Sequence, residues 1–93
     1  MLQPFVSNFF PNLRAAIAGA REAGLDSLVR DLESASFAAY TTSSELLGEV
    51  GAAIVAFMRA GGSNIPAPVR SQLVSCLSEV QKVWPELRAP HAH

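Results

Sequence analysis

Hydrophobic residues recur every three or four positions along most of the chain, the spacing that places them on one face of an α-helix. No stretch alternates apolar and polar residues in the way that a half-buried β-strand would. The pattern is interrupted at Gly24, at 40–42, at 61–68 and at 84–85. The sequence therefore predicts an all-α fold: a small four-helix bundle of antiparallel helices, with a Pro/Gly loop between the third and the fourth helix.

The first two predicted helices are separated by one short connection. The first covers about 9–23, and the second begins at its N-cap Asp26 and continues to about Tyr40. Gly24 suits the left-handed conformation that ends a helix, which predicts an antiparallel hairpin; one long helix through this glycine is the alternative. Their apolar faces comprise Phe10, Leu13, Ile17 and Ala20 in the first helix, and Leu25, Leu28, Val29, Leu32, Ala35 and Ala39 in the second.

The third and fourth predicted helices have clear boundary residues. Thr42 and Glu45 fit a capping box at the start of the third helix, which ends at 61–62. The fourth helix starts near Pro66 and ends at Trp84, because the proline that follows disfavours the α conformation there. Their apolar faces comprise Leu46, Leu47, Val50, Ile54, Phe57 and Met58 in the third helix, and Val69, Leu73, Cys76, Leu77, Val80, Val83 and Trp84 in the fourth.

The composition favours self-association. The chain has 93 residues, which predicts a single helical domain over 1–93 with poorly ordered ends at 1–8 and 89–93. Hydrophobic residues make up 49% of the chain and charged residues only 16%, against about 25% in an average globular protein. Because so few charges must cover the surface of a small bundle, we expect a homo-oligomer that buries the surplus apolar surface.

Charge and hydropathy also argue against two kinds of partner. A net charge of −1 disfavours nucleic acid, since phosphate contacts need surplus Lys and Arg. The longest membrane-like run, 46–58, contains Glu49 and is shorter than the ~20 residues of a spanning helix, and 1–13 lacks the basic start of a signal peptide. We therefore predict a cytoplasmic protein that contacts no membrane, and its excess of Arg over Lys is typical of a GC-rich bacterial genome.

Small residues form the most informative pattern. Gly48, Ala52 and Ala56 recur at a spacing of four residues in the third helix, and Ala15 and Gly19 do the same in the first. A row of small residues lets two helix backbones approach closely. Glycine costs about 1 kcal/mol in a helix interior, so a packing gain should offset it. We expect both rows to be helix-contact surfaces; the alternative is an exposed face on which alanine serves only as a good helix former. The pattern leaves open whether the partner helix belongs to the same chain.

Four charged residues are candidate contacts with a ligand or across an interface: Arg14, Arg21, Glu45 and Glu49. The arginines are seven residues apart in the first helix and the glutamates four apart in the third, so each pair shares a helix face. Two arginines can hold a phosphate or carboxylate, and paired carboxylates can serve acid–base chemistry. Solvated faces or ion pairs are the interpretation that we favour for both pairs.

The remaining reactive side chains do not form a catalytic group. Cys76 lies on the apolar face of the fourth helix, which predicts a buried thiol. His91 and His93 lie in the predicted tail and supply too few ligands for a metal site. The sequence has no phosphate-binding loop, dinucleotide-binding turn or hydrolase motif. We expect no catalytic residue, no metal and no cofactor.

These observations favour a non-enzymatic protein–protein interaction or assembly module that forms a homo-oligomer and binds another protein. The alternative is a small-ligand-binding bundle or minor enzyme with a pocket between helices, in which Tyr40 would join the four charged residues named above. Regulation through DNA would require a dimer with a basic face, which the net charge disfavours.

Overall fold

The computed structural model describes residues 9–37 and 43–87. These residues form four α-helices and one short 3₁₀ helix: α1 (Phe9–Glu22), α2 (Asp26–Phe37), α3 (Ser43–Gly61), the 3₁₀ helix (Gly62–Asn64) and α4 (Ala67–Val80). The all-α, four-helix prediction is confirmed. Tyr40, Thr42, His91 and His93 lie outside the described residues.

The helices pack in two main pairs. α1 lies mainly against α4, and α2 mainly against α3, while contacts of α3 with α4 and of α1 with α2 join the pairs into one bundle. The apolar faces meet in a single core that includes Leu13, Leu32, Ile54, Leu73 and Leu77, each at most 1% exposed. The three-to-four-residue spacing therefore identified the buried side of every helix.

Gly24 ends α1 and separates it from α2. Its φ angle is +83°, in the left-handed region where only glycine is unstrained. The N–H of Gly24 donates to the carbonyl of Arg21, and the N–H of Leu25 donates to the carbonyl of Ala20, which together make a Schellman motif. The hairpin is confirmed, and the single long helix is not formed.

The loop between α3 and α4 is held by its own hydrogen bonds. Gly62 has a φ angle of +52° and begins the 3₁₀ turn. Its carbonyl accepts from the N–H of Ile65 at 3.3 Å and from Nη2 of Arg70 at 2.8 Å. Ile65 is only 5% exposed, so this loop adds an apolar side chain to the core.

The predicted end of the fourth helix is wrong by four residues, because α4 ends at Val80 and not at Trp84. The N–H groups of Val83 and Trp84 both donate to the carbonyl of Val80, which closes a turn and stops the helix. Val83 consequently leaves the apolar face and is 43% exposed. The turn sends Trp84 back onto the beginning of α3, where it packs against the edge of the core.

Candidate functional site

The small-residue row of α3 faces outward. Ala52 and Ala56 are exposed, and Gly48 is half-buried beneath Trp84. None of the described helices covers either alanine, so within residues 9–37 and 43–87 the bundle does not use these two alanines as a helix contact. Contact with a helix of another molecule stays a prediction.

Close approach between two of the described helices occurs at two other glycines, Gly19 and Gly51. A Cβ atom added at Gly19 would lie 2.7 Å from Cγ2 of Val69, so the glycine in the α1 row does allow contact with α4. Ala15, its neighbour in the row, is exposed. A Cβ atom at Gly51 would lie 2.6 Å from Cγ1 of Val80, which makes Gly51 the contact between α3 and α4 that the four-residue spacing missed.

The four charged candidates do not form one cluster, because the two arginines lie on α1 and the two glutamates lie on α3. Arg21 pairs with Glu33, which links α1 to α2, and Arg14 is exposed on α1. Glu45 and Glu49 are both exposed on the first turns of α3, where they line one groove. Sequence reasoning therefore placed the two glutamates together correctly but did not identify the residues that face them.

The groove lies between the first turns of α3 and the segment that follows α4. It is an open recess of about 500 Å³. Its lining consists of Ser44, Glu45, Gly48 and Glu49 from α3, and Trp84, Glu86 and Leu87 from the segment after α4. We call this recess the Trp84 groove.

The indole ring of Trp84 is fixed at the floor of this groove. Its Nε1 donates a hydrogen bond of 2.8 Å to the backbone carbonyl of Ser44, in the first turn of α3. A Cβ atom at Gly48 would lie 3.1 Å from the ring, so the absence of a side chain there allows the indole to lie close to α3. Nε2 of Gln81 donates to the carbonyl of Leu87 at 3.1 Å, which ties the segment back onto the end of α4.

The Trp84 groove is negatively charged at its rim and apolar at its floor. Glu45, Glu49 and Glu86 supply three carboxylates, while Trp84 and Leu87 supply apolar surface. Among the described residues, no side chain that lines the groove is basic. In residues 9–37 and 43–87, no group of three or more His, Cys, Asp or Glu side chains could hold a metal ion. The arrangement is suited to a cation with an apolar stem, such as an arginine side chain.

Comparison of the chain with protein-family models, with curated proteins and with solved structures gives no match.

Among the described residues, length and composition make one helical stretch a candidate membrane span. This stretch is Ser44–Asn64, and 39% of its most apolar window is buried inside the bundle. Its apolar side chains Val50, Ile54 and Met58 are each at most 1% exposed, because they form the core with the other helices. A core helix of a soluble bundle has the same composition, so this finding is weak evidence for a membrane span.

Cys76 is a core residue, as the sequence predicted. It is 0% exposed, and its Sγ lies 3.5 Å from the carbonyl oxygen of Phe9. Burial, with a smaller contribution from the charge of Glu79, raises the pKa of its thiol from 9.0 to about 12. A thiol that stays protonated is a poor nucleophile, so this cysteine is suited to packing and not to catalysis.

The groove residues Trp84, Glu86 and Leu87 were not predicted as site residues. They lie about forty residues from the first turn of α3 along the chain, and only the turn after Val80 brings the two together. One local signal in the sequence could have indicated this segment. Pro85 disfavours the α conformation of the preceding residue, which predicts that the helix ends and the chain changes direction near Trp84.

Proposed function

We propose that the protein is a non-enzymatic helical assembly module that forms a homodimer through the outer face of α3. We define this outer face as the exposed residues Glu45, Ala52, Ala56 and Arg59. The observation that supports the proposal best is the exposure of Ala52 and Ala56, which the other described residues leave uncovered in the middle of α3. Small side chains of this kind favour close helix contact, at or below the usual ~8–10 Å between axes.

The outer face is also self-complementary in charge. Glu45, Ala52 and Arg59 follow one another at a spacing of seven residues, so they share one side of the helix. If two copies of α3 pack antiparallel with Ala52 facing Ala52, each Glu45 lies opposite an Arg59, and the Trp84 indole that covers Gly48 lies near the second copy's Ala56. A two-fold interface requires such a self-complementary patch.

The proposal includes the other expectations from the sequence. The module works in the cytoplasm, needs no cofactor, and presents its remaining surface to a second protein. It is supported by the low charge content, since 16% of charged residues leave little to solvate a fully exposed bundle. A ligand-binding bundle receives less support, because the Trp84 groove is an open recess on the surface and is not enclosed between helices.

The first expected result is a concentration-dependent mass. At high micromolar concentration, light scattering coupled to size exclusion should give about twice the 9.9 kDa of one chain, and the mass should fall toward 9.9 kDa on dilution. A mass that stays at 9.9 kDa over a hundredfold dilution series would contradict the proposal.

Ala52→Glu should break the dimer without unfolding the chain. In the antiparallel arrangement the two new carboxylates would face each other at the two-fold axis, and like charges in an interface cost several kcal/mol. Because Ala52 is exposed in the single chain, the unfolding midpoint of a dilute sample should change little. The matched control is Ala18→Glu, at an exposed alanine in the middle of α1, which should leave the mass unchanged. Equal masses for the two variants at every concentration would show that α3 is not the contact.

A further inference from the structure

We infer that, in the homodimer, the Arg59 side chain of each copy occupies the Trp84 groove of the other copy. This inference rests on the proposed function and specifies its contact. It assigns a ligand to the groove: a guanidinium group on an apolar stem, supplied by a second copy of the chain.

The register of the outer face leads to this pairing. The Trp84 groove is built over the first turns of α3, at the same end of the outer face as Glu45. Arg59 lies at the other end, seven residues beyond Ala52, which is about 10 Å along the helix axis. Antiparallel packing around Ala52 therefore carries Arg59 of the second copy to the level of Glu45, beside the indole of Trp84.

The charges of the described residues favour Arg59 over the other cations. Arg21 pairs with Glu33, Lys82 pairs with Glu79, and Arg70 donates to a loop carbonyl, so these three groups are already used. Arg59 is exposed and forms no hydrogen bond or ion pair with any residue that the structure describes. Two further exposed arginines, Arg14 and Arg30, belong to α1 and α2 and do not lie on the outer face of α3.

The groove matches the chemistry of an arginine side chain. A planar guanidinium group can stack on the face of an indole ring while it donates hydrogen bonds to carboxylates at the edge. Trp84 offers the ring, and Glu49 and Glu86 offer carboxylates that form no ion pair with described residues. The apolar stem of arginine can lie on Leu87, as the stems of long cationic side chains do on apolar surface. Each dimer would contain two such contacts, related by the two-fold axis.

The experiment uses Trp84, the single tryptophan of the chain, as a reporter of groove occupancy. Emission of the full chain is recorded over the same dilution series as the mass. We expect the emission maximum and intensity to change together with the mass, because the second copy's Arg59 covers the indole only in the dimer. Raised salt should weaken both changes, since exposed charge pairs are screened.

Two variants remove the contact from opposite sides. Arg59→Met keeps the length of the side chain and removes its charge, and Glu86→Gln removes one rim carboxylate without altering any helix. We expect each to raise the dissociation constant at least tenfold, and Arg59→Lys to recover part of the loss. The matched control Arg30→Met removes an exposed arginine from α2 and should behave as the unchanged chain does.

The outcomes separate the two proposals. A mass of 9.9 kDa at all concentrations would overturn the homodimer and this inference together. A dimer whose Trp84 emission is independent of concentration would overturn the inference alone. A dimer in which Arg59→Met leaves both the mass and the emission change intact would assign the groove to another segment of the second copy, and would also overturn the inference.

Discussion

Replacing Gly51 by valine should destabilise the fold by about 1–3 kcal/mol, as overpacking a well-packed core does. A Cβ atom at this position would lie 2.6 Å from Cγ1 of Val80 and 3.0 Å from Cδ1 of Leu87. Val80 is 0% exposed and branched at Cβ, so it has no free rotamer into which to move. The added methyl groups must therefore push α4 away from α3.

The matched control for this substitution is Ala18→Val, at an exposed position in the interior of α1. It introduces the same side chain into a helix without crowding the core, and should cost less than about 1 kcal/mol through helix propensity. Gly51→Ala should fall between the two, because the better helix propensity of alanine offsets part of the steric cost. Urea unfolding followed by circular dichroism gives the three values. If Gly51→Val were no less stable than Ala18→Val, the close packing of α3 on α4 at Gly51 would be wrong.

The core helices could be predicted because their signals are local. Each apolar face repeats at helical spacing, and glycine, proline and capping residues mark the ends. Gly24 is the clearest example, since its left-handed conformation and the two hydrogen bonds around it require only neighbouring residues. Sequence spacing was sufficient wherever the structure depends on contacts within one or two helical turns.

The Trp84 groove could not be predicted because its two sides are far apart in sequence. Whether α4 continues to Trp84 depends on what the indole gains by leaving the helix. By leaving the helix, the indole gains a hydrogen bond to the carbonyl of Ser44 and a packing contact with Gly48. Neither interaction can be predicted from the sequence without knowing the fold. The spacing predicted Val83 and Trp84 on one apolar face, whereas the folded chain exposes the first and turns the second onto α3.

The small residues also show that a local sequence pattern does not identify the helix that it contacts. Sequence reasoning expected glycine and alanine to mark close helix contacts, but it could not say which row faces which helix. Inside the bundle, the steric need falls on Gly19 and Gly51, where Val69 and Val80 of α4 leave no room for a side chain. In the row of α3, Gly48 is explained by the Trp84 indole that lies on it. For the exposed Ala52 and Ala56, contact with a second copy is the explanation that we propose.

Cys76 should be nearly inert in the folded protein. With its pKa raised from 9.0 to about 12, the thiolate fraction near pH 8 is lower by about a thousandfold, because each pKa unit is a factor of ten. The thiol is also 0% exposed, so a reagent cannot reach it without opening of the α1–α4 pair. Labelling by a chromogenic disulfide at pH 8 should therefore be at least about a thousand times slower in buffer than in denaturing urea.

The same pKa shift predicts how stability depends on pH. The unfolded thiol loses its proton near pH 9, whereas the folded thiol keeps its proton until about pH 12. Above pH 9 the unfolded chain binds fewer protons than the folded chain, so the free energy of unfolding falls as the pH rises through this window. Cys76→Ala removes this contribution, and the difference between the two pH profiles isolates it from other titrating groups. Rapid labelling of the native chain would show that the thiol does not lie in the core. The same conclusion would follow if the unfolding free energies of the unchanged chain and of Cys76→Ala depended on pH in the same way.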